Sequence, residues 1–197
     1  IQVNTDGLTV RVPRANKWLV DVAAAAWQSR TGLNLEEAVY KAMMVRDVNN
    51  YIGVFNDGST KRKGAYEHDM EWHQNAGGLV IAKVAEKVLV DGAPIRQTVE
   101  QWPDIMDFML RTKVPRSSYL QWGDGRAQNT SRYYIAKDGK PLFKWMPPLA
   151  KKPGEWRKIG VESGWGVQVC NDIKDATAPV DFDYYVREVE KLCLGLA

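Results

Sequence analysis

With 197 residues, the chain is long enough for one large domain or two small subdomains with an apolar core. Its net charge of +3 is mild, so charge alone hints at an anionic partner without establishing one. The sequence shows neither an apolar run of the ~20 residues that span a bilayer nor the pattern of a signal peptide. The two cysteines, Cys170 and Cys193, lack metal-ligand spacing, so we expect two reduced, buried thiols in a cytoplasmic protein.

The first residues predict a tight β-hairpin. Apolar residues alternate with polar ones over residues 8–12, as in a half-buried strand, and residues 1–3 supply a short partner strand. The connection between them is rich in turn-forming residues, Asn4-Thr5-Asp6-Gly7. A carboxylate at such a tip suits a hard cation such as Mg²⁺, which takes one or two carboxylates together with waters and phosphates. The plainer interpretation is that Asp6 only bonds its own backbone, as aspartates in turns usually do.

A helix and a strand meander are predicted next. Asn16 is a candidate N-cap, Gly32 fits the C-terminal stop, and the apolar residues between them recur at helical spacing. We expect this helix to support the sheet from behind. Residues 33–46 permit a helix or a strand, and we favour a strand because residues 48–55 are plainly one. That strand runs into a strong turn signal, Asn56-Asp57-Gly58, and residues 60–66 return.

The returning strand is strongly basic. It carries Lys61-Arg62-Lys63, and it is expected to lie opposite a strand that begins with Asn49-Asn50-Tyr51. Lysine and arginine neutralise phosphates, while asparagine and tyrosine donate to sugars or minor-groove acceptors without reading sequence. An ordinary edge strand that is kept charged to discourage aggregation would show the same pattern.

The second half of the chain begins with helices and continues with short strands. Gly77 and Gly78 open a helix that ends near Gly92, and a shorter one begins at Pro94. Residues 105–113 alternate loosely, and residues 128–135 are predicted to run to a hairpin turn at residues 137–140. Further strands are predicted at residues 142–146, 158–162 and 166–170, and Asp181 is a candidate cap for a final amphipathic helix.

Basic and aromatic residues are interleaved in this second half, with Arg116 in one polar segment and Arg132-Tyr133-Tyr134 in another. Arginine, serine, threonine and tyrosine mixed in this way suit contacts with a nucleic-acid backbone. A polar surface with two half-buried tyrosines is an equally simple interpretation.

Three of these features resemble, in their order and spacing, the C-terminal part of the palm and the thumb of family B DNA polymerases, in particular the phage-type variants. They are the Asn4-Thr5-Asp6-Gly7 hairpin, the basic hairpin that ends in Lys61-Arg62-Lys63-Gly64, and the segments around Arg116 and Arg132-Tyr133-Tyr134. The family usually carries Asp-Thr-Asp-Ser in the first hairpin. Its second Asp falls on Asp6, whereas Asn4 and Gly7 depart from the common form, as Asn49 and Asn50 do where lysines are frequent.

The resemblance implies an α+β fold: an antiparallel palm sheet with the motif hairpin and a packed helix over residues 1–75, followed by a mixed α+β thumb over residues 76–197. It implies a nucleotidyltransferase that adds deoxynucleotides to a primer 3′-hydroxyl by two-metal phosphoryl transfer. Asp6 would be a catalytic Mg²⁺ ligand, and Glu36 is a weaker second candidate for the metal. The implied DNA contacts are Thr5, Asn49, Asn50, Tyr51, Lys61, Arg62, Lys63, Arg116, Arg132, Tyr133 and Tyr134.

The partners implied by the resemblance are primer–template DNA, a deoxynucleoside triphosphate and the remaining polymerase subdomains: fingers, N-terminal palm and exonuclease. Because the chain starts at Ile1, within a strand, we expect a fragment of a longer protein, located in a bacterial host cytoplasm if it is phage-encoded. The other principal carboxylate and the nucleotide-binding lysine of the family precede this hairpin. The fragment alone is therefore expected not to polymerise.

Two other classes of function remain open at this stage. A non-catalytic nucleic-acid-binding module would use Asp6 only as a turn former. A metal-dependent nuclease would need a carboxylate cluster of its own, and Glu67, Asp69 and Glu71 are the candidates, although their spacing does not bring them together. The two histidines, His68 and His73, are too far apart in sequence to share one helix face, which favours a solvated connector over a metal site.

Overall fold

The computed structural model describes residues 2–4, 7–71, 73–74, 77–149 and 154–196. Within these ranges the chain forms four α-helices and four small antiparallel sheets, which confirms the α+β class. The chain divides into two compact units, residues 1–64 and residues 65–197. Their assignment to a palm and a thumb, with a boundary at residue 75, stays a prediction.

The first unit contains a hairpin, one helix and a three-stranded sheet. Strands β1 (Gln2–Asn4) and β2 (Gly7–Thr9) pair with Asn4 opposite Gly7, so the predicted hairpin is present. Its strand β2 ends at Thr9, earlier than the sequence pattern predicted. Helix α1 (Lys17–Thr31) is followed by β3 (Tyr40–Asp47), β4 (Asn50–Phe55) and β5 (Thr60–Lys63), which form the sheet in that order.

Helix α1 ends where the sequence predicted and packs differently. Gly32 adopts a left-handed conformation, with φ of 71°, and its N–H donates to the Gln28 carbonyl at 2.8 Å. The side chain of Asn16 makes no capping bond within the described part of the chain. None of the fifteen residues of α1 is buried, and Trp18 is 59% exposed. The expected packing behind a sheet is therefore not seen in this unit.

The second unit begins with helices α2 (Leu79–Asp91) and α3 (Ile95–Glu100) and ends with helix α4 (Phe182–Cys193). All three were predicted, and the Asp181 carboxylate caps α4 by accepting from the Asp183 N–H at 3.2 Å. Between them lie seven strands in two sheets. They are β6 (Leu110–Lys113), β7 (Tyr119–Trp122), β8 (Gly125–Ala127), β9 (Thr130–Lys140), β10 (Leu142–Met146), β11 (Arg157–Val161) and β12 (Val167–Val169).

Some strands that follow each other in sequence lie in different sheets. One sheet has the order β11-β10-β7-β8 and the other has the order β12-β9-β6. Helix α4 packs against α2 and α3, and its buried Tyr185 links it to the second sheet. The Tyr185 hydroxyl donates to the Phe108 carbonyl at 2.8 Å and accepts the Ile135 N–H of β9 at 3.0 Å. The Phe108 ring meets the Tyr185 ring edge-on, with centroids 4.9 Å apart.

The hairpin turn predicted at residues 137–140 is wrong, because β9 continues straight through them to Lys140. Asp138-Gly139 has the composition of a turn, yet Gly139 serves a close backbone approach. A Cβ atom on Gly139 would lie 2.5 Å from the Val167 nitrogen, and a Cβ on Gly166 would collide with the backbone of Gly139. Strand β10 pairs with β7 and β11 in the other sheet.

Two of the composition-based expectations can be compared with the structure. Cys170 and Cys193 are both free and buried, as predicted, and burial raises the pKa of each thiol. In the described ranges there is no helix of the length and apolarity that crossing a bilayer would require.

Candidate nucleic-acid interface

The residues predicted to bind metal are placed only in part. Asp6 and Thr5, at the tip of the first hairpin, lie outside the described residues. Glu36 is exposed in the irregular segment between α1 and β3, and not on a strand as expected, because β3 begins only at Tyr40. Its neighbour Glu37 pairs with Lys17 at 2.9 Å.

The acidic and histidine residues around position 70 do not form a metal site. Over the described ranges, no group of three His, Cys, Asp or Glu side chains is arranged to hold an ion. His68 instead meets Glu86 of helix α2, with 2.5 Å between its Nε2 and a carboxylate oxygen. A Mg²⁺ site that includes Asp6 stays a prediction.

The sheet register divides the basic triplet of β5 between two faces. Tyr51 pairs with Lys63, and Gly53 pairs with Lys61, whereas Arg62 pairs with the fully buried Ile52. Because directly opposed residues of an antiparallel pair share a face, Lys61 and Lys63 lie on the face of Tyr51, and Arg62 lies on the other.

The two faces differ in exposure and bonding. Lys61 and Lys63 are exposed, and Tyr51 is half-buried beside them. Arg62 is half-buried, and its guanidinium donates to the Thr60 hydroxyl at 3.0 Å. Two of the three cations, with one tyrosine, therefore form a solvent-facing surface, which we call the Lys61–Lys63 face.

The β3–β4 turn accounts for the two asparagines before Tyr51. The Asp47 carboxylate accepts from the Asn49 N–H at 2.9 Å and from the Asn50 side-chain amide at 2.8 and 2.9 Å. These bonds, led by the one from Asn50, lower the pKa of Asp47. The Asn50 donors are thus directed at the turn, while the Asn49 side chain is exposed.

Gly64 closes this hairpin at a position that requires glycine. Its φ is 64°, in the left-handed region. A Cβ atom there would collide with the Asn49 carbonyl and lie 2.5 Å from the Asn50 side-chain oxygen. Gly64, which directly follows β5, therefore packs against the β3–β4 turn. This contact joins the two segments of the predicted motif, Asn49-Asn50-Tyr51 and Lys61-Arg62-Lys63-Gly64.

In the second unit, Arg116 and Arg132 occupy different surroundings. Arg116 is exposed in the tight turn between β6 and β7. Arg132 is half-buried on β9 and lies directly opposite Arg111 of β6. Burial and the charge of Arg111 lower the pKa of Arg132. Arg111 was not among the predicted contacts, because only the β6–β9 register places it opposite Arg132.

Tyr133 and Tyr134 are core residues, 2% and 0% exposed. The Tyr133 hydroxyl donates to Glu162 at 3.1 Å, and the Tyr134 hydroxyl donates to the Ala178 carbonyl at 2.6 Å. Burial raises the pKa of both. These positions argue against the DNA contacts predicted for the two rings, because β9 is covered on both faces here.

Comparison of the chain with protein-family models, with curated proteins and with solved structures finds no match in any of the three.

Proposed function

We propose that this chain is part of a DNA-directed DNA polymerase of the family B type, and that its first unit grips the primer–template duplex. The single observation that carries the proposal is the Lys61–Lys63 face. It presents two exposed cations and a tyrosine on one side of a three-stranded sheet, in the same unit as the Asn4-Thr5-Asp6-Gly7 hairpin. Cations spaced along a strand neutralise successive phosphates without reading bases.

Asp6 is the proposed metal ligand. In the resembling family it would share Mg²⁺ with carboxylates that lie outside this chain, and the ions would supply activation of the primer 3′-hydroxyl and charge stabilisation at the phosphate. In this proposal Tyr51 contacts the duplex backbone, and Arg62 supports the sheet from its other face. In this proposal the chain alone does not extend a primer, because the other principal carboxylate of the family precedes the hairpin.

The duplex grip is tested by measuring binding of a primer–template DNA over a range of salt concentrations. A Lys61→Ala/Lys63→Ala variant is expected to reduce the log–log salt slope by about 1.8, since each neutralised phosphate contributes about 0.9. The matched control is Arg14→Ala/Arg30→Ala, which removes two exposed cations of the same unit that lie outside the β3–β4–β5 sheet. Equal losses in both variants would show that net charge, and not this face, binds the duplex.

The metal role is tested separately with Mn²⁺ as a paramagnetic probe. Selective broadening of the Asp6 resonances, lost in Asp6→Asn, supports a metal ligand. Duplex binding at the Lys61–Lys63 face without any broadening at Asp6 would leave a non-catalytic nucleic-acid-binding module. Primer extension by the chain alone that disappears in Asp6→Ala would contradict the proposed division of the active site.

A further inference from the structure

The outer face of the β11-β10-β7-β8 sheet carries a cluster of aromatic rings and cations. Trp145 of β10 pairs with both Tyr119 of β7 and Lys158 of β11, so all three side chains share one face. Phe143 lies two residues before Trp145 on the same strand and therefore on the same face. The opposite face holds the buried Leu120.

The rings of this face are arranged as neighbours. Tyr119 lies nearly parallel to Trp145, with centroids 6.0 Å apart and an interplanar angle of 12°. Trp156, just before β11, is centred 5.5 Å from Tyr119 and is 45% exposed. We call Tyr119, Phe143, Trp145 and Trp156 the aromatic platform. Large apolar rings left at a surface in contact with each other mark a binding site more often than scattered ones do.

Cations lie over the rings of the platform. The Lys158 ammonium is 3.9 Å from the Phe143 ring centroid and 5.6 Å from that of Trp145. The Arg126 guanidinium is 5.0 Å from the Tyr119 centroid. By the strand register Arg126 and Lys158 lie on the platform face, whereas Lys144 and Arg157 lie on the face of Leu120, and the four strands carry no acidic side chain. The occupant that complements this charge is an anion.

We propose that the aromatic platform binds single-stranded nucleic acid, with unpaired bases stacking on Trp156 and its neighbours and phosphates meeting Arg126 and Lys158. Every base has a π-face, and stacking on exposed rings combined with flanking cations is how proteins hold single strands without reading sequence. A duplex hides its base faces in its own stack, so the platform selects unpaired strands. The inference stands independently of the Lys61–Lys63 face, which lies in the other unit.

The test uses the full chain and a fluorescein-labelled oligothymidylate of about ten nucleotides, within the usual site size for such surfaces. Trp156→Ala is expected to weaken binding by roughly 5- to 150-fold, the loss of one stacked base, while Trp156→Phe retains most of the affinity. The control is Trp27→Ala, which removes a comparably exposed tryptophan, 43% against 45%, from helix α1. Urea unfolding reports whether each variant keeps its fold.

Two competitors separate stacking from charge. Inorganic polyphosphate carries the charge without bases, and a blunt duplex carries bases that are already stacked. We expect both to compete poorly, and we expect Arg14→Ala/Arg30→Ala to leave oligothymidylate binding unchanged. The proposal is overturned if the folded wild-type chain does not bind oligothymidylate, if polyphosphate competes as well as the oligonucleotide, or if Trp156→Ala and Trp27→Ala bind alike. None of these outcomes bears on duplex binding by the first unit.

Discussion

Removing the hydroxyl of Tyr185 should destabilise the second unit by more than the loss of a single hydrogen bond. Tyr185→Phe leaves the ring and its packing in place but removes one oxygen that serves two backbone groups. The Ile135 N–H of β9 loses its acceptor, and the Phe108 carbonyl loses its donor. Ile135, Phe108 and Tyr185 are all buried, so water does not replace the hydroxyl without opening the core.

The expected cost follows from the two orphaned groups. A buried backbone group without a partner costs about 1–3 kcal/mol. The cost is larger for the Ile135 N–H than for the Phe108 carbonyl, because an N–H has a single donor whereas a carbonyl oxygen has two lone pairs. Tyr185→Phe should therefore lower the free energy of unfolding by about 2–4 kcal/mol. Tyr134→Phe is the matched control, because its hydroxyl serves a single carbonyl of the half-exposed Ala178, which water can reach. Its expected cost is about 1 kcal/mol.

Urea unfolding measures both variants, and a lowered midpoint with an unchanged slope identifies a change in stability alone. Hydrogen exchange adds a local readout, since the Ile135 amide should lose protection in Tyr185→Phe and keep it in Tyr134→Phe. A Tyr185→Phe cost no larger than that of Tyr134→Phe would refute the argument. It would mean that Ile135 and Phe108 find other partners, so that the hydroxyl does not tie helix α4 to β9.

Two further predictions concern the hairpins of the first unit. Gly64→Ala should lower the free energy of unfolding clearly more than Gly58→Ala. Both positions have positive φ, so an alanine at either one is strained by about 1–2 kcal/mol. In addition, a methyl group at Gly64 collides with Asn49, whereas one at Gly58 meets no described atom within 4 Å. Amide exchange across β4 and β5 measures the difference, and equal costs would contradict the close approach. The Asp47 carboxylate, whose pKa is lowered by its turn bonds, should support the β3–β4 turn at neutral pH; this support is lost as the pH falls below the ordinary aspartate value of about 4 and through the lowered pKa. Hydrogen-exchange protection of the Asn49 amide, followed as a function of pH, measures this support. Asp47→Ala should remove the loss of protection at acid pH.

Local signals in the sequence predicted most of the elements. Gly32 and Gly92 end helices in the left-handed conformation, and Asp181 caps the last helix, as their residue types indicate. The β4–β5 hairpin also follows from local chemistry, because Asn56-Asp57-Gly58 has few alternatives to a turn. In each case the determinant lies within a few residues of the element that it shapes.

The misjudged positions depend on residues that are distant in sequence. Gly139 resembles a turn glycine in sequence, and only its contact with Gly166 shows why glycine is needed there. Tyr133 and Tyr134 resemble surface residues in sequence, but distant parts of the second unit bury them. The opposition of Arg111 and Arg132 exists only in the β6–β9 register. That Arg62 lies on the opposite face from Lys61 and Lys63 could have been predicted from the sequence, because successive side chains of a strand point to opposite faces.

The contact between Gly139 and Gly166 has a consequence for how this fold tolerates change. Each glycine occupies the space that a methyl group on the other would need, so the two positions behave as one constraint shared between two sites. Once an alanine at either position has forced the backbones apart, an alanine at the second enters space that is already open. The free-energy costs of the two substitutions should therefore fall short of additivity, and sequences that drift at this crossing should exchange both glycines together or keep both.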